Sequence, residues 1–125
     1  MPSQRRDLCE RTFVFARDAV RLCVQLGRQA GAHPQVAGQL IRAATSVGAN
    51  AEEAQAAFTR REFACKNSIV LREARESRFW LKLIAATGLG DGRHAQAVDC
   101  LTAEADELVA IYTTIVRKLK LEKLT

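Results

Sequence analysis

The chain has 125 residues, of which 48% are hydrophobic and 26% charged, with seven Gly and two Pro. This length suits one domain of about 100–150 residues, and so few Gly and Pro residues disfavour disorder, collagen-like repeats and loop-rich all-β folds. Nineteen Lys and Arg residues against fourteen Asp and Glu give a net charge of +5, which favours polyanionic partners without identifying one.

The first predicted helix covers residues 7–30, with Asp7 as its N-cap and Gly31 as its C-terminal stop. Two adjacent apolar stripes follow helical spacing along it. One comprises Cys9, Phe13, Ala16, Val20, Cys23, Gly27 and Ala30, and the other comprises Leu8, Phe15, Ala19, Leu22 and Leu26. Because two stripes cover more than half of the circumference, we expect this helix to contact more than one neighbour.

The second predicted helix covers residues 34–57 and opens at His33-Pro34, where the missing N–H of Pro is harmless. Its expected core stripe is Ala37, Leu40, Ala44, Val47, Ala51, Ala54 and Phe58. Gly48 lies among these small residues, although Gly costs about 1 kcal/mol of helix propensity. Close approach of a neighbouring helix is the favoured explanation, and a hinge at Gly48 is the alternative.

The third predicted helix covers residues 60–87, between a capping box at Thr59 and Glu62 and a stop at Gly88. Its apolar positions are Phe63, Val70, Ala74, Ser77, Leu81 and Ile84. The Gly-x-Gly-x-Gly run at 88–92 follows no strand, so it is interpreted as a helix–helix connector and not as a phosphate loop.

The fourth predicted helix covers residues 93–120, with a heptad formed by Val98, Leu101, Ala105, Leu108, Tyr112, Ile115 and Leu119. Acidic residues near its start and basic residues at its end suit the helix dipole. Four long helices with short connections predict an all-α, antiparallel up-down-up-down four-helix bundle, with residues 1–125 as a single domain.

Polar side chains accompany the apolar stripes at helical spacing on the second and third helices. The predicted structural polar network consists of Arg42, Ser46, Asn50, Glu53, Lys66, Glu73, Glu76 and Trp80. A ferritin-type di-iron site needs Glu-x-x-His motifs, which are absent here. General acid–base catalysis by Glu73 and Glu76 lacks a partner group in the sequence. An ion-pair network with Arg42, Lys66 or Arg72, within or between subunits, is the favoured interpretation.

No catalytic or metal-binding arrangement is evident, so we expect no enzyme activity and no cofactor. The cysteines Cys9, Cys23, Cys65 and Cys100 form no C-x-x-C pair, and the chain has two histidines. Each cysteine falls in or beside an apolar stripe, as expected of free thiols in a reduced cytoplasmic protein. The apolar stretch 108–116 is far short of the ~20 residues of a membrane span.

The positive charge is uneven along the chain, with +3 over residues 1–32 and +4 over residues 59–88. The candidate nucleic-acid-binding residues are Arg60, Arg61, Arg75, Arg78, Lys82, Arg117 and Lys118, with Arg5 and Arg6 near the N-terminus. An ordinary solvated face is the alternative interpretation. We expect the core or an interface to take up all seven aromatic side chains, which leaves phosphate contacts and shape to dominate any binding.

Several segments together resemble one family. Residues 39–54 are similar to the second-helix signature of the 23S rRNA-intervening-sequence proteins, also called the four-helix-bundle family. Residues 61–63 and 71–81 are similar to its third-helix signature, and the resemblance extends from residues 11–16 to residues 115–118. The matching positions include most of the polar network (Arg42, Ser46, Asn50, Glu53, Glu73, Glu76 and Trp80), for which a structural role is implied.

The resemblance implies a small bacterial cytoplasmic four-helix bundle that assembles as a ring, typically a homopentamer. A related family, the accessory variability proteins of diversity-generating retroelements, uses a basic pentameric barrel to bind nucleic acid and a reverse transcriptase. We therefore expect a non-enzymatic, ring-forming protein that binds rRNA or other structured nucleic acid. The alternative is a protein-interaction scaffold or a reverse-transcriptase accessory subunit.

Overall fold

A computed structural model describes the backbone of residues 2–29, 31 and 33–124, and the side chains of residues 7–29, 31 and 33–122. It contains four α-helices: α1 (Pro2–Gly27), α2 (His33–Gln55), α3 (Arg60–Thr87) and α4 (Ala95–Leu124). A short 3₁₀ turn, Gly92–His94, leads into α4. No strand occurs in the described ranges, so the all-α prediction is confirmed there.

The boundaries of α3 match the prediction because its ends carry specific capping groups. The Thr59 hydroxyl accepts the Glu62 backbone N–H at 3.0 Å, and the Glu62 carboxylate accepts the Phe58 N–H at 3.1 Å. At the other end Gly88 adopts a φ of 77°, and its N–H donates to the Ala85 carbonyl. These bonds satisfy backbone groups that a helix end leaves unpaired.

The first and last helices extend further toward the chain termini than predicted. The helix α1 begins at Pro2, so Asp7 lies inside it and the N-cap assigned to Asp7 is wrong. No helix-breaking residue separates Pro2 from Asp7, and Pro is tolerated in a first turn. The helix α4 likewise continues past residue 120 to Leu124 through strong helix formers. Conversely, α1 ends at Gly27 and not at 30, and α2 ends at Gln55 and not at 57. Ala30, predicted in the α1 stripe, lies outside the described residues.

All four helices contribute to one buried cluster, in which consecutive helices pack together and α1 also contacts α4. Its largest fully buried apolar side chains are Phe15, Leu26, Leu40, Leu81, Ile84 and Leu108. On α1 the core is thus formed mainly by the stripe that contains Phe15, together with Cys23 of the other stripe, whereas Phe13 of that stripe is 67% exposed. Phe58, predicted in the α2 stripe, is 97% exposed because α2 has already ended and its helical period no longer sets the side-chain direction.

Gly48 marks the closest approach of α1 and α2. A Cβ atom at this position would lie 3.2 Å from the Thr12 carbonyl oxygen and 3.3 Å from the Ala16 Cβ. These distances confirm the close-approach explanation for the mid-helix Gly. They also explain why the α2 core positions are dominated by small residues, because larger ones would separate the two backbones.

No helix of the described residues combines the length and apolarity needed to cross a membrane.

Candidate nucleic-acid interface

The outer face of α3 carries a continuous stripe of exposed residues that includes cations and no carboxylate, with the exposed Glu62 beside it. Its members recur at alternating intervals of four and three residues, which places them on one side of a helix. They are Arg61, Cys65, Ser68, Arg72, Arg75, Phe79 and Lys82, and all are exposed. We call this set the α3 stripe; it extends for about 32 Å along the helix axis.

The opposite face of α3 fixes the orientation of the stripe. Val70, Ala74, Leu81 and Ile84 are fully buried against the other helices. Because a helix cannot rotate without exposing such a face, the cations of the α3 stripe are held toward solvent. Packing of the core thereby determines where the charge is displayed.

The structure separates the predicted nucleic-acid-binding residues into two groups. Arg61, Arg75 and Lys82 lie on the α3 stripe and form no ion pair with any side chain in the described ranges. Arg60 instead pairs with Glu122, and Arg78 Nη1 lies 3.4 Å from Asp106 Oδ1. Both pairs connect α3 to α4, so these two arginines serve the packing of helices.

Two further candidates lie on α4 and two lie outside the described side chains. Arg117 and Lys118 are exposed near the end of α4. The side chains of Arg5 and Arg6 are not among those described. The basic residues therefore form one extended stripe on α3 and a smaller cluster at the end of α4.

A groove between the start of α3 and the end of α4 joins these two basic regions. It has a volume of about 650 Å³ and is lined by Arg60, Arg61, Cys65, Ser68 and Lys120, among others. Three cations line it, of which Arg60 is paired with Glu122.

Arg72 is a member of the α3 stripe that sequence reasoning missed. Its predicted role is that of a partner for the α3 carboxylates, and its Nε does lie 4.0 Å from Glu73 Oε1. Its side chain is nevertheless 74% exposed. The signal that identifies it is its position in the four-three spacing between Ser68 and Arg75.

The predicted polar network divides into three separate groups. The largest joins α2 to α3: Arg42 Nη1 lies 3.3 Å from Glu73 Oε2, and Arg42 also pairs with Glu76. The Trp80 indole N–H donates to Glu76 Oε2 at 3.1 Å. Since the Glu73 side chain is only 9% exposed, its charge needs a cation at this position.

The other two groups each contain two residues. The Asn50 amide donates to the Ser46 carbonyl at 2.9 Å and to the Ser46 hydroxyl at 3.0 Å, within one turn of α2. Lys66 Nζ lies 2.9 Å from Glu53 Oε2 and joins α2 to α3. The hydrogen bond to Glu53 raises the pKa of Lys66 above its usual value. All three groups form within a single chain.

Three phenylalanines are exposed in the single chain, so the core alone does not take up every aromatic ring. Besides Phe13 and Phe58, Phe79 is 56% exposed. Its ring contacts the Trp80 ring edge to face, with centroids 5.0 Å apart and planes at 78°. The α3 spacing places Phe79 in the α3 stripe between Arg75 and Lys82, so an aromatic surface does lie among the cations.

The four cysteines are free thiols in different environments. Burial raises the pKa of Cys23 to about 12. Cys9 is half-buried, whereas Cys65 and Cys100 are exposed. Among the side chains that the structure describes, no group of three or more His, Cys, Asp or Glu residues is arranged to hold a metal ion.

Comparisons with known proteins indicate one family. The family model described as 23S rRNA-intervening sequence protein matches residues 5–114. The chain is also similar to a crystal structure of a protein with unknown function from the S23 ribosomal protein family of Bacteroides thetaiotaomicron VPI-5482. That similarity has a TM-score of 0.75 and 27% identity, and it covers 87% of this chain and 97% of the other. No curated protein sequence is significantly similar to this chain.

Proposed function

Because the chain belongs to the 23S rRNA-intervening sequence protein family, we propose that it is a non-enzymatic, ring-forming protein that binds structured RNA through the α3 stripe. The supporting observation is that this exposed face carries Arg61, Arg72, Arg75 and Lys82 without any carboxylate. Such a face attracts phosphates by releasing their condensed counterions, so salt should weaken binding strongly. The family description supports RNA as the polyanion.

The proposed helix arrangement is an antiparallel up-down-up-down bundle. Contacts between α1 and α2 pair residue 9 with 51 and residue 12 with 48. Ion pairs between α2 and α3 join residue 42 to 73 and 53 to 66, and those between α3 and α4 join 60 to 122 and 78 to 106. In each case the residue number rises along one helix as it falls along the next, which supports this arrangement.

The proposed assembly is a ring of identical subunits, with five as the expected number, in the cytoplasm. Phe13 and Val24 are 67% and 45% exposed on α1, and their separation of eleven residues places them on one face. Covering this face with a second copy would remove apolar surface from water. A ring would also repeat the α3 stripe and multiply the net charge of +5. Free thiols support a reducing compartment.

The mass of the assembly tests the ring. Light scattering on the purified chain should give several times 13.8 kDa. A mass of 13.8 kDa in a concentrated sample would refute it. The Phe13→Glu variant should lower the mass, because a charge buried at a subunit contact is costly.

Charge reversal tests RNA binding. The variant Arg72→Glu/Arg75→Glu should lower the affinity for a structured rRNA fragment at low salt by tenfold or more, without changing the mass of the assembly. A matched control, Arg28→Glu/Arg93→Glu, makes the same change of charge at exposed positions in the connections between helices. Equal losses in both variants, or no RNA binding by the unmodified protein, would contradict the proposal.

A second candidate function is a protein-interaction scaffold, including the role of a reverse-transcriptase accessory subunit. The observation that favours it is Phe58, which is 97% exposed beside a cavity of about 570 Å³ lined by Leu8, Ala54, Ile115 and Leu119, among others. Exposed apolar surface of this kind is typical of protein contacts. Affinity capture that recovers one stoichiometric protein after nuclease treatment, and loses it with Phe58→Ala, would favour this function.

A further inference from the structure

Phe79 is an aromatic ring displayed to solvent between two cations. Its side chain follows Arg75 by four residues and precedes Lys82 by three, so the three lie in succession along the α3 stripe. The ring is 56% exposed, although water solvates an apolar surface poorly. Aromatic rings interleaved with cations are the arrangement by which proteins stack single-stranded bases while neutralising the adjoining phosphates.

Neighbouring side chains hold the ring of Phe79 in place. Trp80 packs against it edge to face at 5.0 Å, and the Trp80 indole N–H is anchored on Glu76 at 3.1 Å. Glu76 in turn pairs with Arg42 on α2. The largest polar group thus fixes Trp80, and Trp80 restricts the Phe79 ring. A ring oriented in advance loses less conformational entropy on binding.

We propose that Phe79 is a stacking platform for an unpaired base of the bound RNA, with Arg75 and Lys82 contacting the phosphates on either side of that base. This inference rests on the proposed function and defines its substrate class as RNA with a loop, bulge or single-stranded end. An uninterrupted duplex cannot use the platform, because its bases remain stacked inside the helix.

The other two exposed phenylalanines lack this setting. The cation one turn after Phe13, Arg17, is paired with Asp18, whereas Glu76, the carboxylate one turn before Phe79, is paired with Arg42. Phe58 adjoins Arg60, which is paired with Glu122. Arg75 and Lys82 have no ion pair with any side chain of the described part of the chain. Among the three exposed phenylalanines, Phe79 is therefore the one whose neighbouring cations are available to contact phosphates.

Two RNA probes of equal charge distinguish the platform from the stripe as a whole. One is a hairpin with an unpaired loop, and the other is a fully paired duplex with the same number of phosphates. Phe79→Ala should lower the affinity for the loop probe by about tenfold or more and leave the duplex affinity unchanged. Phe79→Tyr, which retains a stacking ring, should bind the loop probe as the unmodified protein does, and Phe58→Ala, which removes an exposed ring outside the α3 stripe, should alter neither affinity.

Fluorescence gives a second readout, because Trp80 is the single tryptophan of the chain. A base stacked on Phe79 lies next to that indole, so the loop probe should change Trp80 emission and the duplex should not. If Arg72→Glu/Arg75→Glu lowers binding while Phe79→Ala leaves loop binding and emission unaltered, the platform is refuted and the proposed function stands. A fall in assembly mass with Phe79→Ala would refute it in favour of a subunit contact. Failure of both probes to bind would refute the proposed function as well.

Discussion

Small polar side chains are accommodated in the core because each bonds to its own helix. Thr12 and Ser77 are fully buried, and their hydroxyls donate to the Leu8 and Glu73 carbonyls at 2.7 and 2.8 Å. Asn67 is 3% exposed and donates to the Phe63 carbonyl at 2.8 Å. Within the described side chains no buried nitrogen or oxygen lacks a partner. Because each of these groups bonds within its own helix, it avoids the cost of a buried unsatisfied group. It therefore needs no partner on another helix.

Glycine substitutions should have opposite effects at two positions. At Gly90 a Cβ would lie 2.6 Å from Val98 Cγ2 and 2.9 Å from Ile84 Cγ2, both in the core. We expect Gly90→Ala to lower the free energy of unfolding by about 1–3 kcal/mol through overpacking. At Gly38, inside α2, nothing lies within 4 Å, so Gly38→Ala should raise it by about 0.5–1 kcal/mol. Urea denaturation measures both, and a stabilised Gly90→Ala would contradict the described packing.

Tyr112 should make stability depend on pH in alkaline solution. Burial raises its pKa from 10.0 to about 12, so between these values the unfolded chain releases a proton that the folded chain retains. The contribution is complete below pH 10 and is lost as pH rises toward 12. Urea unfolding at a series of pH values should show a weaker decline over this window in Tyr112→Phe than in the unmodified protein. Parallel curves would contradict this role of Tyr112. Burial also raises the pKa of Cys23 to about 12, but Cys23 is present in both proteins and so does not affect the comparison.

At the scale of elements, α2 and α3 are joined by two groups of ion pairs that differ in burial. One is centred on Arg42, and the other is the pair of Lys66 and Glu53. The Arg42 pair involves a Glu73 side chain that is 9% exposed, whereas Lys66 and Glu53 are 33% and 59% exposed. Exposed pairs contribute little because water and salt screen them. A buried carboxylate that loses its cation carries a desolvation cost. The Arg42 contact should therefore matter more for the register between these helices.

Removal of each cation compares the two contacts. We expect Arg42→Ala to lower the free energy of unfolding by about 1–2 kcal/mol. This is less than for a fully buried ion pair, because the Arg42 side chain is half exposed and water screens its charge. The matched change Lys66→Ala should cost less than about 1 kcal/mol. Adding Glu73→Gln to Arg42→Ala should recover part of the loss, since the charge on the buried Glu73 side chain is then removed. Equal costs for the two single changes would indicate that burial of Glu73 has no energetic consequence.

The elements also show where sequence reasoning succeeds. The ends of α3 could be predicted to the residue because Thr59, Glu62 and Gly88 form specific bonds there. The start of α1 could not, since no residue between Pro2 and Asp7 marks an end. Arg75 and Lys82 were identifiable from local charge. The exposure of Phe79 was not, because an aromatic residue in an amphipathic helix is assigned to the core unless the buried face is already known.

For the whole molecule, the position of the α3 stripe follows from the packing of the four helices around the core. The apolar faces of the four helices turn inward, and the cations of α3 remain outside with Phe79 among them. The net charge of +5 is modest, but its arrangement is not uniform. Repetition in a ring would present several such stripes to one polyanion. Affinity would then depend on how many phosphates are contacted at once.

Salt dependence should report the number of those phosphates. On a plot of log binding constant against log salt concentration, each lost phosphate contact should reduce the magnitude of the slope by about 0.7–0.9. We expect Arg72→Gln and Arg75→Gln each to produce such a reduction. Arg21→Gln, on α1 beside Asp18, should leave the slope unchanged. Identical slopes in all three variants would show that the α3 stripe is not in contact with the backbone of the RNA.

The contact between α1 and α4 differs from the others in the length of chain that it closes. Arg11 Nε bonds Glu104 Oε2 at 3.0 Å across a separation of 93 residues, whereas connections of only a few residues join consecutive helices. Closing the longer loop costs more conformational entropy, and these two helices meet less extensively than consecutive ones. The helical hairpins should therefore form early in folding and this seam last. Its opening would uncover Phe15 and Leu101, which flank the α1–α4 groove, and would allow α1 to exchange between neighbouring copies.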